Sequence, residues 1–274
     1  MDDVIIVGGG PTGFVTALGL ARNGVKVRVI EAEHQSPSQP RAPVYHFSVL
    51  EGLDRLGVLE DCLEIGIMKQ DYCWRHKRND EAIEYDLKVL EGHTPFPFNM
   101  HLGQHKMAGV VEKHLRKHSN AVIEFDTRCV GIRQDNEGVT VIMEGKDGRR
   151  ELRARYVVGC DGAGSMVRQE LGLDFVGTTW PERFIATNIY YDFTKWGYKR
   201  SELVVDKRDG AIICIISPDD LWRCTYMEDA SLPLETYEER IADAFQRVLP
   251  GDQDYRIDAT SPYRMHQRSA ERYR

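Results

Sequence analysis

The chain has 274 residues, and its 36 Lys+Arg against 43 Asp+Glu give a formal charge of −7, which argues against a nucleic-acid partner or a polybasic membrane anchor. With 42% hydrophobic and 29% charged residues, the composition is that of a folded protein able to bury a sizeable core in one large or two modest domains. The longest apolar run, residues 211–216, falls far short of the about 18 residues that cross a bilayer, Met1-Asp2-Asp3 lacks a basic signal region, and Cys62, Cys73, Cys129, Cys160, Cys214 and Cys224 form no C-x-x-C pair, so a cytoplasmic protein with reduced thiols and no membrane segment is expected.

Along the chain, residues 4–7 read as a β-branched strand, 11–23 as a helix ended by Gly24, and 26–30 as a second strand with Val25, Val27 and Val29 on one face. Pro37, Pro40 and Pro43 make residues 34–43 an extended loop. Leu50, Leu53 and Leu56 place a helix over 49–59, a short one follows near 59–64, and 69–90 alternate as hairpin-like strands. Met107, Val110, Val111 and Leu115 mark the apolar face of a helix over 104–118. Strands at 122–125, 130–134 and 139–143 come next, then a buried strand at 156–160 and a helix at 165–171. Beyond residue 175, strands at 184–193, 203–206, 211–217 and 221–227 imply a separate antiparallel sheet, which a helix over 234–249 covers.

Gly8-Gly9-Gly10-Pro11-Thr12-Gly13 fits G-x-G-x-x-G between a strand and a helix. Such a turn needs unusual dihedrals, lets a diphosphate approach the backbone, and presents the positive end of a helix to it. Glu31 ends the second strand, where a carboxylate accepts hydrogen bonds from an adenosine ribose. Strand, glycine turn, helix, strand and acid together point to a Rossmann-like dinucleotide fold. This fingerprint does not separate NAD from FAD.

Three further segments, Pro40-Arg41-Ala42, Gln104 at a helix start, and the run Gly159-Cys160-Asp161-Gly162-Ala163-Gly164-Ser165-Met166-Val167-Arg168, resemble the flavin-contacting segments of the single-component FAD-dependent aromatic hydroxylases, the family of para-hydroxybenzoate hydroxylase and phenol hydroxylase. The resemblance implies an α/β fold: a Rossmann-like FAD-binding domain (1–68 and 100–175), with a parallel sheet, helices and a small antiparallel sheet, and a second antiparallel-sheet substrate domain (69–99 and 176–274). It assigns Gly8, Gly10, Pro11, Thr12 and Gly13 to the diphosphate, Glu31 and Ala32 to the adenosine ribose, and Arg41, Ala42 and Gln104 to the phosphate-ribityl region. Val130 would meet the adenine through its backbone, Asp161 and Gly162 the ribityl or diphosphate region, and Arg168 the pyridine nucleotide. A guanidinium suits phosphate and a carboxylate suits hydroxyl donors. On the residues alone, Arg41 as a solvated loop arginine, Gln104 as a cap of its own helix, and Asp161-Gly162 as an ordinary turn stay open.

The cofactors implied are FAD and NADH or NADPH, with O₂ and a small aromatic as substrates. In the implied cycle NAD(P)H reduces the flavin, O₂ is captured as a C4a-hydroperoxide, and one oxygen hydroxylates a phenolic or N-heteroaromatic ring. The flavin carries the chemistry, and no side-chain nucleophile is required. Substrate contacts are expected from Asn188, Tyr190, Ile215, Arg223 and Tyr226, although these side chains serve equally as core. Asn188 and Tyr190 lie opposite the apolar face of Ile185 and Ile189, and Trp222 shares a face with Tyr226. Benzoate hydroxylases of the family hold a carboxylate with serine and arginine on the strand that is apolar here over 211–216, so a phenol or a larger apolar aromatic is expected instead.

Two pairs four apart, His101/His105 and His114/His118, could share a helix face, yet no third ligand recurs, and all read as solvated surface histidines with no metal. A homodimer is one possible assembly, and the sequence does not fix the oligomeric state. The resemblance also implies a Gly-Asp segment after residues 263–274, where the sequence ends, so a C-terminally incomplete flavoprotein with impaired FAD binding is one alternative reading. A flavin oxidoreductase that does not oxygenate is the other.

Overall fold

A computed structural model describes residues 1–35, 41–252 and 254–273. Pro37 and Pro40 of the expected extended loop, and Arg274, lie outside the described residues. The chain separates into two compact units: among the described residues, 1–35, 104–177 and 268–273 form the first, and 41–103, 178–252 and 254–267 the second. Residues 41–68 thus group with the second unit rather than with the glycine loop, unlike the boundary read from the sequence.

In the first unit, strand β1 (Asp2–Val7) leads through the glycine turn into helix α1 (Pro11–Arg22) and back along β2 (Val27–Ile30). Buried Phe14, Ala17, Leu18 and Ala21 recur at three- and four-residue intervals on α1, which packs this apolar stripe beside a second helix of the unit.

The second unit begins with β3 (Val44–Tyr45), α2 (Phe47–Arg55), α3 (Leu59–Ile65), β4 (Ile67–Lys69), β5 (Asp71–His76), β6 (Ala82–Asp86) and β7 (Asn99–His101). The hairpin expected over 69–90 is realised as β5 paired antiparallel with β6 through a turn at 77–81, and a 3-10 turn at Leu87–Leu90 follows β6.

The chain then returns to the first unit through α4 (Gln104–Leu115), β8 (Ala121–Glu124), β9 (Arg128–Asp135), β10 (Gly138–Gly145), β11 (Gly148–Gly159) and α5 (Met166–Glu170). Helix α4 buries Met107, Ala108, Val111 and Leu115 and is the helix that packs against α1. The sheet order is β8-β2-β1-β11-β10-β9, parallel from β8 to β11 and antiparallel from there to β9. Its core holds Ile5, Val7, Ile30, Val141, Met143, Ala154 and Val167.

β12 (Phe175–Tyr190), β13 (Ser201–Val205), β14 (Ala211–Ser217), β15 (Leu221–Glu228), α6 (Ile241–Val248) and β16 (Arg256–Ala270) complete the chain. The large sheet runs β16-β12-β15-β14-β13-β5-β6. Ile185, Ile189, Ile213, Ile215, Trp222, Cys224 and Tyr226 form its core face with Ile241, Ala244, Phe245 and Val248 of α6. The helix expected over 234–249 is shorter, with a 3-10 turn at Tyr237–Arg240 before α6. The apolar spacing starts only at Ile241, and Leu234 stays 48% exposed. Among the described residues no helix is long and apolar enough to cross a membrane, and no group of three or more His, Cys, Asp or Glu is arranged to hold a metal.

Candidate functional site

In the first unit the glycine turn occupies the carboxyl end of β1. Gly8 has φ +106°, and a Cβ there would meet the Cys160 carbonyl at 2.4 Å. A Cβ at Gly13 would stand 1.9 Å from the Gly8 carbonyl, so α1 can begin this close to β1 only without a side chain. Gly10 is the N-cap of α1, extended at φ −76°, ψ −177°, with no side-chain cap, and Pro11 follows at the first helical position. A Cβ at Gly10 would meet nothing within 4 Å. The helix therefore has no side-chain cap at its positive N-terminus, headed by Pro11, Thr12 and Gly13, an arrangement whose free N–H groups suit an anion.

Glu31 follows β2 and is 9% exposed. Its Oε2 accepts from the Gly9 N–H at 2.6 Å and its Oε1 from the Glu33 N–H at 2.9 Å, which ties the acid to the glycine loop and flanks Ala32. Each oxygen keeps a lone pair for a further donor.

Cys160 N–H donates to the Val7 carbonyl at 2.7 Å, continuing the parallel pairing of Val7 with Gly159. This brings the Asp161-Gly162 run beside the glycine loop at the carboxyl edge of the sheet, where dinucleotide ligands bind in this architecture. Gly162, at φ +78°, opens onto space with no atom near a built Cβ. The Asp161 carboxylate accepts from Ser165 Oγ at 2.5 Å, Met166 N–H at 2.7 Å and Val167 N–H at 3.1 Å, so it caps α5. The same run thus makes a helix cap and keeps an open glycine.

Val130 falls where β9 and β10 slip register: Gly131 faces Ile142, Cys129 faces Met143, and Val130 has no partner. A bulged residue is released from the ladder, which suits contact with a base edge through the backbone. Sequence reasoning had no signal for this bulge. Gln104 is the first residue of α4, also in the first unit. Arg168 donates from Nη1 to the Ala163 carbonyl at 2.8 Å and lies 4.8 Å from the Phe175 ring centre. With Gly159, Gly162, Phe175, Arg268 and Arg272 it lines a cavity of about 260 Å³.

In the second unit, Arg41 and Ala42 are exposed, and the Arg41 carbonyl accepts from Arg223 Nη1 at 3.0 Å. The five residues expected to meet substrate do not converge. Asn188 and Arg223 are directly opposite in the β12–β15 register, and Arg223 Nε donates to Asn188 Oδ1 at 2.7 Å. Ile215 and Tyr226 belong to the other face, packed under α6, with the Tyr226 and Phe245 rings edge to face at 5.9 Å. The Tyr226 hydroxyl is buried there without a partner among the described residues, and burial raises its pKa. Tyr190 lies under the Arg256 guanidinium, 3.8 Å from ring centre, and with Ile215, Asp192, Trp222 and Asp254 it lines a cavity of about 500 Å³.

His101, read as a solvated surface histidine, is instead fully buried. Strand β7, which carries it, is the middle strand of a three-stranded sheet. Its Nδ1 lies 3.0 Å from the Ile215 carbonyl, and Nε2 lies 3.4 Å from the Tyr72 hydroxyl, which accepts from Asn99 Nδ2 at 2.7 Å. Burial pushes the His101 pKa down to about 4.

A parallel-sheet fold with an acid-bound glycine turn and a neighbouring Asp-Gly run defines a dinucleotide-binding protein of the Rossmann type. Comparison with known proteins names the family: its model, the FAD binding domain, matches residues 1–274. The chain is 44% identical over 272 residues to 6-hydroxy-3-succinoylpyridine 3-monooxygenase of Pseudomonas putida, covering 99% of this chain and 69% of that protein. It is 40% identical over 277 residues to para-nitrophenol 4-monooxygenase of a Pseudomonas strain, covering 100% and 69%. The crystal structure of p-nitrophenol 4-monooxygenase from Pseudomonas putida superposes with a TM-score of 0.96 at 38% identity, over 100% of this chain and 70% of that one. The chain belongs to this family, the FAD-dependent aromatic monooxygenases, which use NAD(P)H as co-substrate.

Proposed function

We propose that the chain hydroxylates a hydroxyl-bearing aromatic or N-heteroaromatic compound, the kind of substrate named for its nitrophenol and hydroxypyridine relatives. The observation that carries this reading is the meeting of two cofactor loops: the Cys160 N–H bonded to the Val7 carbonyl sets Gly162 beside the Gly8–Gly13 turn. The residues present fit FAD. The open glycines and uncapped α1 would take the diphosphate, Glu31 the adenosine ribose, and the Val130 backbone the adenine. Gln104, Arg41 and Ala42 would meet the phosphate-ribityl region, and Asp161 would act by fixing the loop that carries Gly162. When bound, FAD would supply the redox chemistry, hydride acceptance from NAD(P)H and transfer of one oxygen atom of O₂ to the ring with the other leaving as water.

The protein's share is to bind, orient and keep water out. Arg168, braced by the Ala163 carbonyl and the Phe175 ring, would hold the pyridine nucleotide. The first unit is read as the FAD-binding domain and the second as the substrate domain, with Asn188 and Arg223 its polar contacts and Tyr190 further along the same strand. The sequence reading of a cytoplasmic enzyme is carried into this proposal, with the oligomeric state left to native mass. The central test is purification with FAD: retained yellow flavin and aromatic-stimulated NAD(P)H oxidation with hydroxylated product are expected. Loss of both would overturn the reading, and peroxide without product would favour a non-oxygenating oxidoreductase.

A further inference from the structure

Among the described residues of the second unit, buried Lys69 and Arg183 and half-buried Arg75 each meet a carboxylate, and buried Arg223 does not. Lys69 pairs with Asp71, Arg75 with Glu202 at 2.8 Å, and Arg183 with Glu228. Arg223 is 6% exposed, yet among the described residues it meets no carboxylate. Its two hydrogen-bond acceptors, Asn188 Oδ1 and the Arg41 carbonyl, are both neutral. Burying a guanidinium without a counter-charge is unfavourable, because the lost hydration is not repaid by an ion pair. Consistently, burial lowers its pKa, opposed only by Cys214 and Tyr263.

Geometry makes this cation a recognition element rather than a strut. Asn188 and Cys214 are its neighbours in register on the two adjoining strands, and on the same face Ala186 and Thr225 lie to one side of it and Tyr190 and Leu221 to the other. The bond from Nε to Asn188 fixes the plane of the fork, and Nη2 has no acceptor among the described residues. A planar, pre-oriented fork is the arrangement that binds a carboxylate or phenolate oxygen.

We propose that Arg223, oriented by Asn188, holds an anionic oxygen of the aromatic substrate, a phenolate or a ring-borne carboxylate, and so selects for the ionised substrate. The inference rests on the monooxygenase reading and amends the expectation drawn from the apolar strand over 211–216: the charge comes from the neighbouring strand β15. The FAD diphosphate is the competing anion, but the glycine turn and the α1 N-terminus already answer its charge within the first unit.

The test uses the FAD-loaded chain and 4-nitrophenol, whose ionised form is yellow and whose neutral form is colourless, with 4-methylphenol as the neutral counterpart. Wild type is expected to bind the nitrophenol as the yellow anion, lowering its apparent pKa, and to prefer it to 4-methylphenol. Arg223→Gln is expected to lose the pKa shift and about tenfold or more of the affinity, with Arg223→Lys intermediate and flavin absorbance retained in both. Binding of 4-nitrophenol in its neutral form, no preference over 4-methylphenol, no binding of either, or an unaltered Arg223→Gln overturns the proposal. So does loss of FAD from Arg223→Gln, which would assign the residue to the cofactor. Aromatic-stimulated NAD(P)H oxidation by wild type, scored separately across other phenols, keeps failure here distinct from failure of the monooxygenase reading.

Discussion

Glu31 Oε2 accepts a 2.6 Å hydrogen bond from the Gly9 backbone N–H. The acid assigned to the ribose therefore first serves the loop that would hold the diphosphate. Glu31→Ala is expected to cost about 1–3 kcal/mol of stability through the buried N–H left behind, and to weaken FAD binding at least about tenfold. Chemical denaturation and flavin titration separate the two losses. Glu31→Gln, which still offers an acceptor oxygen, should keep most of the stability.

The glycines of the turn divide by what a Cβ would meet. Gly13→Ala drives a methyl to 1.9 Å from the Gly8 carbonyl, and is expected to destabilise the apoprotein by about 1–3 kcal/mol as well as to abolish FAD retention. Gly10→Ala meets open space. It should cost the apoprotein less than about 1 kcal/mol yet impair FAD binding, because the methyl occupies the volume the diphosphate needs. Equal FAD affinity in Gly10→Ala would remove the diphosphate from that position.

Buried His101 titrates near pH 4, against an ordinary value near 6.5, because burial penalises its charged form. The unfolded chain binds the proton first as pH falls, so unfolding takes up protons between about pH 6.5 and 4. The stabilising contribution is complete above 6.5 and is lost as pH drops through that window, by up to about 3 kcal/mol. Denaturation midpoints measured across that range should fall for wild type and flatten for His101→Gln.

Asp161 spends its carboxylate on Ser165, Met166 and Val167. Asp161→Ala is expected to unpin α5 at a cost of about 0.5–2 kcal/mol and to weaken NAD(P)H binding together with FAD, since Arg168 rides on the same short helix. If stopped-flow reduction shows an unchanged NAD(P)H affinity, the link between cap and nucleotide fails.

Tyr226 offers a contrast. Tyr226→Phe removes a buried hydroxyl that has no partner among the described residues. It should be neutral or stabilising by about 1 kcal/mol and leave the affinity for aromatics untouched, because the ring packs against Phe245 under α6. A loss of aromatic binding would restore Tyr226 to the substrate surface.

The glycine turn and the Asp-Gly run were legible in the sequence because each is local, lying at the turn or helix start that gives it meaning, and Glu31 was legible because a carboxylate ending the second strand of a strand–turn–helix–strand unit has a fixed place, although its bond to Gly9 spans 22 positions. Strand faces were equally legible, with Ile185 and Ile189 inward and Asn188 and Tyr190 opposite. Which face becomes core was not. Trp222 and Tyr226 do share a face, but it is the one α6 covers. His101 was misread for a related reason: Asn99, Met100 and His101 are all buried in the middle strand of a small sheet, so no alternation marks them, and the Ile215 carbonyl lies 114 positions away. Arg223 stood out as a residue type, but its lack of a carboxylate partner depends on the whole unit's ion pairing.

The bulge at Val130 has a consequence for how the adenine contact would respond to change. A base edge read by peptide groups is indifferent to the side chain that accompanies them, so exchanges such as Val130→Ile leave that recognition intact. A proline there would delete the one donor and bend the strand. The contact is written in the path of the backbone, where residue identity at a single position leaves no trace of it.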